Sequence, residues 1–426
     1  MVDKPLTKNI DLARGPMDIA GYEAADGYQS LRAIAAGLSP DDVLQRVKDS
    51  GLKGRGGAGF PTGLKWSFVP RGDDAPKQKY LVVNADEMEP GTFKDRLLME
   101  GDPHLLIEGM IIAAYTIGAS VGYIFLRGEY VASERALNKA IAEAKEKGYL
   151  GRNILDSGYD LEIILHTSAG RYICGEETAL LNALEGKRAT PRAKPPFPQV
   201  SGLWGKPTIV NNVETLCNLP GILNYGVEWY HGLTRGKDHG TKLFGASGRV
   251  KSPGCWELPL GTPIREILED KAGGMCDGYQ LKAFLPGGAS TDFMLPEHLD
   301  IPFDYDDVAK VGSRLATGTM IVLDDRTCPV GMIGNMMTFF AHESCGFCTP
   351  CRDGLPWVDA IFRELEAGKG KEKDLQILHD HVEYMGPGRT FCALAPGATA
   401  PLGSGLKHFA EDFARHIKER ACPYRH

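Results

Sequence analysis

The sequence predicts an α/β domain over residues 1–240, a small β-grasp domain over 241–335 and a helical domain over 336–426. Three observations predict this order. Helical and strand patterns alternate through the first 240 residues. Short strand patterns around a single helix replace them after residue 240. The last stretch reads as mostly helical and carries a tight group of cysteines.

The elements follow in order. Ser39-Pro40 can cap a helix running through Val43, Leu44 and Val47, with Gly51 closing it. Gly54-Arg55-Gly56-Gly57-Ala58-Gly59-Phe60 then forms a glycine loop. Its Gly54, Gly56 and Gly59 spell a formal G-x-G-x-x-G, but the loop follows a helix where the dinucleotide fingerprint needs a strand. It is therefore either a tight turn or a place where main-chain amides approach a flat or anionic ligand. Lys65 is a candidate phosphate contact, and Phe60 and Phe68 are either core or rings that stack on a purine.

Tyr80–Val83 reads as a buried strand opening into Asn84-Ala-Asp86-Glu87-Met-Glu89-Pro90-Gly91. That acidic loop is either a solvated turn or a ligand-facing loop at a strand's carboxyl end. Leu105–Leu126 is the one apolar stretch of membrane length, but Glu108, Gly109, Gly118 and Gly122 interrupt it. It reads as a buried helix followed by a buried strand, Tyr123–Leu126, rather than a span. Val131–Lys147 is a charged amphipathic helix stopped by Gly148, and Leu161–His166 is a strand. Gly170–Thr178 runs into a helix over Glu176–Glu185. Glutamates at 176 and 177 suit any helix start or a ligand. Lys194-Pro-Pro-Phe197-Pro is a stiff loop, and Asn211-Asn212-Val-Glu214-Thr215 offers side-chain amides for a ligand or a turn.

Lys242–Val250, Trp256–Leu260 and Leu281–Leu285 read as strands, with one helix starting at Thr262-Pro263. Of ten cysteines, Cys174, Cys217, Cys255, Cys276, Cys328 and Cys422 are scattered. Cys345, Cys348 and Cys351 keep a strict three-residue spacing that can wrap one corner of an iron–sulfur cube, and Cys392 supplies a fourth thiolate. A zinc site usually pairs two C-x-x-C units or adds histidines; no second pair follows here.

The composition is that of an ordinary globular chain of 426 residues, 43% apolar and 24% charged. A net charge of −7 argues against a nucleic-acid partner, which needs a basic face. The 52 glycines, about 12% against a usual ~7%, fit loops that let a backbone approach a ligand. Met1–Ala20 shows no export signal, so free thiols or metal ligands are expected rather than disulfides, and any membrane link runs through a partner.

The motifs coincide with a family. Gly54–Phe68, Asn84–Arg96, Tyr172–Arg188, Lys194–Pro198, Asn211–Thr215 and Glu343–Arg352 together resemble the flavoprotein subunit that opens the NADH:quinone oxidoreductase of respiratory complex I. The resemblance implies a Rossmann-like domain binding FMN and NADH, then the β-grasp domain and a C-terminal helical bundle with a [4Fe–4S] cluster. It places FMN on Gly54, Arg55, Gly56, Gly57 and Lys65, with Asn84, Asp86, Glu87, Tyr172, Gly175, Glu176, Asn211 and Asn212 completing the pocket. The adenine of NADH would lie among Phe60, Phe68 and Phe197, near Lys194. Glu89 and Glu177 would line the nucleotide channel and act closest to the chemistry. Cys345, Cys348, Cys351 and Cys392 would hold the cluster.

The implied partners are a small [2Fe–2S] subunit and a large multi-cluster subunit of the peripheral arm. The implied location is the cytoplasmic face of a bacterial inner membrane, without direct insertion. Met88 stands where many relatives carry Gly or Ser, and the chain lacks the extensions of fused diaphorase subunits of NAD-linked hydrogenases and formate dehydrogenases. Electron counting fits the cofactor set: NADH gives two electrons as a hydride, a cluster accepts one at a time, and a flavin between them handles both.

Overall fold

The computed structural model describes residues 3–425. The chain divides into two compact units, one built from residues 3–88, 93–243 and 257–262, the other from 89–92, 244–256 and 263–425.

In the first unit, helix α1 (Pro40–Asp49) starts on a capping box between Ser39 and Asp42 and buries Val43, Leu44 and Val47. It stops before Gly51, whose φ of +66° an L side chain rarely adopts. The glycine loop leads from there into α2 (Thr62–Ser67) and then β1 (Tyr80–Ala85). After the acidic loop come α3 (Asp95–Gly101) and α4 (Pro103–Ile117). Helix α4 is buried almost all round, each large apolar side chain contributing about 1.5–3 kcal/mol. It ends at Gly118 in the left-handed region, and its Glu108 carboxylate accepts hydrogen bonds from Tyr22 Oη (2.5 Å), Tyr28 N (2.9 Å) and the Ser30 hydroxyl. Among the described residues no helix is long and apolar enough to cross a membrane.

Strand β2 (Val121–Leu126), helix α5 (Val131–Glu146), strand β3 (Glu162–Thr167), helix α6 (Glu177–Leu184), strand β4 (Thr208–Asn212) and helix α7 (Val213–Cys217) complete this unit's frame. The four strands form a parallel sheet in the order β3-β2-β1-β4. The chain moves outward from β1 to β3, then returns to place β4 on the other side of β1. The direction reverses between β1 and β4, where open α/β sheets bind ligands beyond the strands' carboxyl ends. The register sets Asn84 beside Asn212 at that point.

A second sheet joins β5 (Thr241–Gly248), β6 (Gly254–Pro259), β7 (Leu281–Leu285) and β8 (Thr319–Asp324) in the order β6-β5-β8-β7. Strand β8 runs parallel to β5 and antiparallel to β7. The expected helix is short and wide-turned, Glu266–Lys271, with Ile267 and Leu268 inward. This is the β-grasp arrangement. The chain continues as a helical region: α8 (Pro329–Glu343), α9 (Thr349–Glu366), α10 (Glu372–Met385), α11 (Leu394–His408) and α12 (Ala410–Glu419).

Candidate functional site

The glycine loop closes on itself through Gly54 N, which donates to Phe60 O at 2.9 Å. Gly57 and Gly59 take φ of +126° and +66°, so the loop needs glycine there. It rests against the switch point: a Cβ on Gly56 would meet Asn212 Cβ at 3.0 Å, and Arg55 N donates to Thr215 Oγ1 at 2.8 Å. The Arg55 side chain turns inward. It is wholly buried and donates to Tyr230 Oη and His239 O (both 3.0 Å) and to Thr241 O (3.2 Å), so it anchors the loop from behind and leaves the main chain of residue 55 in the loop.

Three motifs meet at the start of α6. Glu176 caps the helix, accepting from Thr178 N (2.9 Å) and Ala179 N (2.8 Å). Glu177 faces out and pairs with Lys65 Nζ at 2.8 Å and Lys194 Nζ at 3.2 Å. Lys65 also donates to Val210 O at 2.9 Å, and Lys194 also reaches Glu176 at 3.1 Å. Burial works against charge on Glu177, yet the two ammonium groups outweigh it and hold the carboxyl below its ordinary range. Phe60, Phe68 and Phe197 are 46%, 51% and 53% exposed, which excludes the core reading for Phe60 and Phe68 and leaves the Phe197 ring open as well. Tyr172 is half-buried in the turn Tyr172–Gly175, and a Cβ on Gly175 would meet nothing within 4 Å.

The acidic loop is not a solvated turn, because Asp86 and Glu87 are buried. Asn84 Nδ2 donates to Gly175 O at 3.2 Å, tying the loop to the turn before α6. Ser168 Oγ donates to Asp86 Oδ1 at 3.0 Å. Glu87 sits at the start of α3, accepting from the main-chain amides of Lys94 (3.0 Å), Asp95 (2.9 Å) and Arg96 (3.3 Å) and from Tyr130 Oη (3.1 Å). Burial, with Asp95 nearby, pushes its carboxyl up to about 7. Glu89 belongs to the second unit, where its Oε1 accepts from Ser290 N at 2.7 Å.

Behind the switch point lies a charge network that sequence reasoning missed. Lys94 Nζ pairs with Asp95 and Glu214 at 2.7 Å each, and Lys242 Nζ pairs with Glu214 at 3.3 Å. All four side chains are buried. Asn212 Nδ2 donates to Asp95 Oδ2 at 2.6 Å, and Trp66 Nε1 donates to Asn211 Oδ1 at 2.8 Å, so both asparagines are locked by neighbours. Burial lowers Lys242 to about 8 even with Glu214 beside it. Lys94, Asp95 and Glu214 lie inside motifs visible in the sequence; Lys242 carries no such signal.

In the second unit, Cys345, Cys348 and Cys351 occupy the turn from α8 to α9, with Cys348 at the helix cap and Pro350 in its first turn. Cys392 lies just before α11. Burial pushes the Cys351 thiol up to about 12, opposed by a hydrogen bond with Ser344 and reinforced by the thiols of Cys348, Cys392 and Cys345. The fourth cysteine is thus brought to the other three. The rings of Phe347 and Phe391 pack edge to face at 4.8 Å and join the two segments. Four sulfurs on two loops fit the donor set of a cubane iron–sulfur cluster.

The Nuo51 FMN-binding domain matches residues 47–221, the SLBB domain 245–293, and the NADH-ubiquinone oxidoreductase-F iron-sulfur binding region 331–416. The chain is 57% identical over 415 residues to the F subunit of the NADH-quinone oxidoreductase of Salmonella typhimurium and to that of Escherichia coli, in each case covering 97% of this chain and 93% of the relative. The chain belongs to the family of NADH-quinone oxidoreductase F subunits. The F subunit of Mycobacterium tuberculosis is 49% identical over 410 residues, covering 95% of this chain and 92% of its own. Among solved structures, an NAD+-reducing [NiFe]-hydrogenase in the H2-reduced state superposes with a TM-score of 0.81 at 35% identity. That match takes in 93% of this chain but only 65% of the hydrogenase chain. The cofactors of this family's domains are FMN and a [4Fe–4S] cluster, and the residues present fit both. The glycine loop, the open face at Gly175 and the lysines at Glu177 suit a flat, anionic ligand. The four gathered thiols suit the cluster.

Proposed function

We propose that this chain is the electron-input subunit of a multi-subunit NADH–quinone oxidoreductase: it oxidises NADH and sends the electrons on singly toward quinone. FMN, when bound, would accept the hydride with its two electrons, and the cluster would offer a one-electron exit. The observation that carries this reading is the convergence of Lys65, Glu177 and Lys194, from three separate motifs, beside a glycine loop at the switch point of a parallel sheet. The work of the protein is positioning and electrostatics; hydride transfer needs no side-chain acid or base.

In this reading the backbone of Gly54, Gly56 and Gly57 cradles the flavin nucleotide while Arg55 braces the loop from within. Lys65 and Lys194 supply positive charge for phosphate. Phe60, Phe68 and Phe197 stack with the adenine, and Glu177 accepts hydrogen bonds from the ribose hydroxyls. Asn84, Asp86, Tyr172, Gly175, Asn211 and Asn212 shape the pocket, with Glu87 and Glu176 holding helices α3 and α6 in place. Cys345, Cys348, Cys351 and Cys392 ligate the cluster. The division at 240/241 falls just before β5, while the second division belongs just before α8 at Pro329 and not at 335/336, which would cut that helix. The proposed partners are a small [2Fe–2S] subunit and a large multi-cluster subunit, on the cytoplasmic face of the inner membrane.

The structural match to a hydrogenase favours a second reading, a diaphorase subunit of an NAD-linked hydrogenase or formate dehydrogenase. The higher identity to quinone-reductase subunits over almost their whole length favours the first. Copurified subunits separate the two. The function itself is tested by anaerobic addition of NADH to the purified complex, followed by flavin absorbance and the electron-spin signal of the cluster. Full NADH-ferricyanide activity in a preparation free of FMN sinks the proposal.

A further inference from the structure

Cys328 and Cys422 lie far apart in sequence and outside the cluster motif, yet the fold brings them together with Glu366 and His416. One candidate ligand atom from each of the four lies within 4.8 Å of every other. Cys328 Sγ is 3.3 Å from His416 Nε2 and 3.7 Å from Glu366 Oε1, and His416 Nε2 is 3.3 Å from Glu366 Oε1. A tetrahedral zinc ion with bonds of about 2.3 Å to sulfur and about 2.0–2.1 Å to nitrogen and oxygen needs ligand separations of about 3.3–3.8 Å. We propose that Cys328, Glu366, His416 and Cys422 form a structural zinc site, separate from the iron–sulfur cluster.

The neighbours of the four residues aim them at one point. His416 is fully buried, and its Nδ1 lies 2.6 Å from Asp412 O. A carbonyl only accepts, so Nδ1 carries the proton and Nε2 keeps its lone pair turned toward the other ligands. Arg425 Nη2 donates to Glu366 Oε2 at 3.0 Å, leaving Oε1 to face the centre. Gly331 N donates to Cys328 Sγ at 3.2 Å, and Cys328 caps the 15-residue helix α8, which holds the sulfur in place. Cys422 is buried, while Cys328 and Glu366 are half-buried and leave a way in for the ion. Binding releases the two thiol protons to solvent.

The position gives the site a purpose. Helices α8 and α9 flank the loop of Cys345, Cys348 and Cys351. Cys328 and Glu366 sit at their opposite ends, about 22 Å away along α8 and about 27 Å away along α9. A metal there joins the free end of that pair to α12 and the segment after it, bracing the frame that holds the cluster. Zinc has no redox chemistry, so it would not divert electrons.

The test is metal analysis of the purified complex, wild type against Cys422→Ser and His416→Ala. The expected result is a loss of about one zinc per complex in each variant, with iron and FMN content unchanged. Glu366→Gln is nearly isosteric and keeps the test usable if the other two fail to assemble; it should weaken zinc retention against a chelator at least tenfold. Zinc content equal in wild type and all assembled variants overturns the proposal. So does a Cys328–Cys422 disulfide, or a pair of free thiols without metal, in the native wild-type protein.

Discussion

Glu177 is held between two ammonium groups, and this sets its value to the protein. If the carboxylate were replaced by an amide, Lys65 would lose its counter-charge and Lys194 would keep only Glu176, leaving more positive charge facing the nucleotide. The extra phosphate of NADPH, repelled by the carboxylate, would then find two cations. Like charges meeting at a binding surface cost several kcal/mol, so the wild type should prefer NADH by roughly a hundredfold or more, at 1.4 kcal/mol per tenfold. Glu177→Gln is expected to raise kcat/KM for NADPH and lower it modestly for NADH. Steady-state kinetics with ferricyanide and both nucleotides checks this, and an unchanged ratio removes Glu177 from selectivity. Phe197 belongs to the same scale. Its ring is about half exposed, so truncation opens no core cavity. An aromatic stack is worth about 0.5–1.5 kcal/mol; Phe197→Ala should weaken NADH binding several-fold and leave FMN content intact. A titration in which NADH binds the variant as tightly as the wild type rejects the stacking role.

At the scale of elements, adjacent glutamates do different work. Glu176 has non-helical backbone angles and accepts from the amides of Thr178 and Ala179, so its carboxylate belongs to helix α6. Glu176→Ala should reduce stability by about 1 kcal/mol while the NADPH/NADH ratio stays put; a changed ratio would transfer selectivity to Glu176. Strand β6 offers a pH-dependent case. Glu257 is buried and accepts from Leu6 N (3.1 Å), Thr7 N (2.8 Å) and Thr241 Oγ1 (2.6 Å), pinning the N-terminal segment. Burial outweighs those hydrogen bonds and pushes its carboxyl from 4.5 up to about 7. A raised carboxyl favours folding fully below its unfolded value, and that contribution is lost as pH rises through the folded one. The loss is on the order of 3 kcal/mol at 1.36 kcal/mol per unit. Denaturant titrations should show wild type losing stability relative to Glu257→Gln from about pH 5 to about pH 8. A constant gap means Glu257 does not titrate there.

Over the whole molecule, one compact unit carries the glycine loop and Glu177, and the other carries the four thiols. Cys392→Ala leaves three thiolates and an open corner for the cluster. Iron content should fall and onward electron transfer should stop, while NADH-ferricyanide reduction persists. Full iron content with normal onward transfer in this variant rejects Cys392 as a ligand. The fold was largely legible in advance because its elements have strong local causes. The Ser39 cap, the buried run at Leu81–Val83 and the period of Ala136, Leu137, Ala140, Ile141 and Ala144 each fix an element within a few residues. The long apolar stretch resolved into helix and strand because Gly118 breaks it.

The sequence by itself determined the kinds of element, the glycine loop and the cluster's three-residue spacing, since each depends on neighbours along the chain. Only the tertiary structure decided which way side chains face. Arg55 turns inward because Tyr230, His239 and Thr241 wait behind it. Lys94 and Lys242, from distant parts of the chain, meet on Glu214. Cys328 reaches His416 across 88 residues. Local patterning sets the conformation of a segment, but burial, pairing and ligand geometry arise where distant segments pack, and no spacing along the chain encodes those distances.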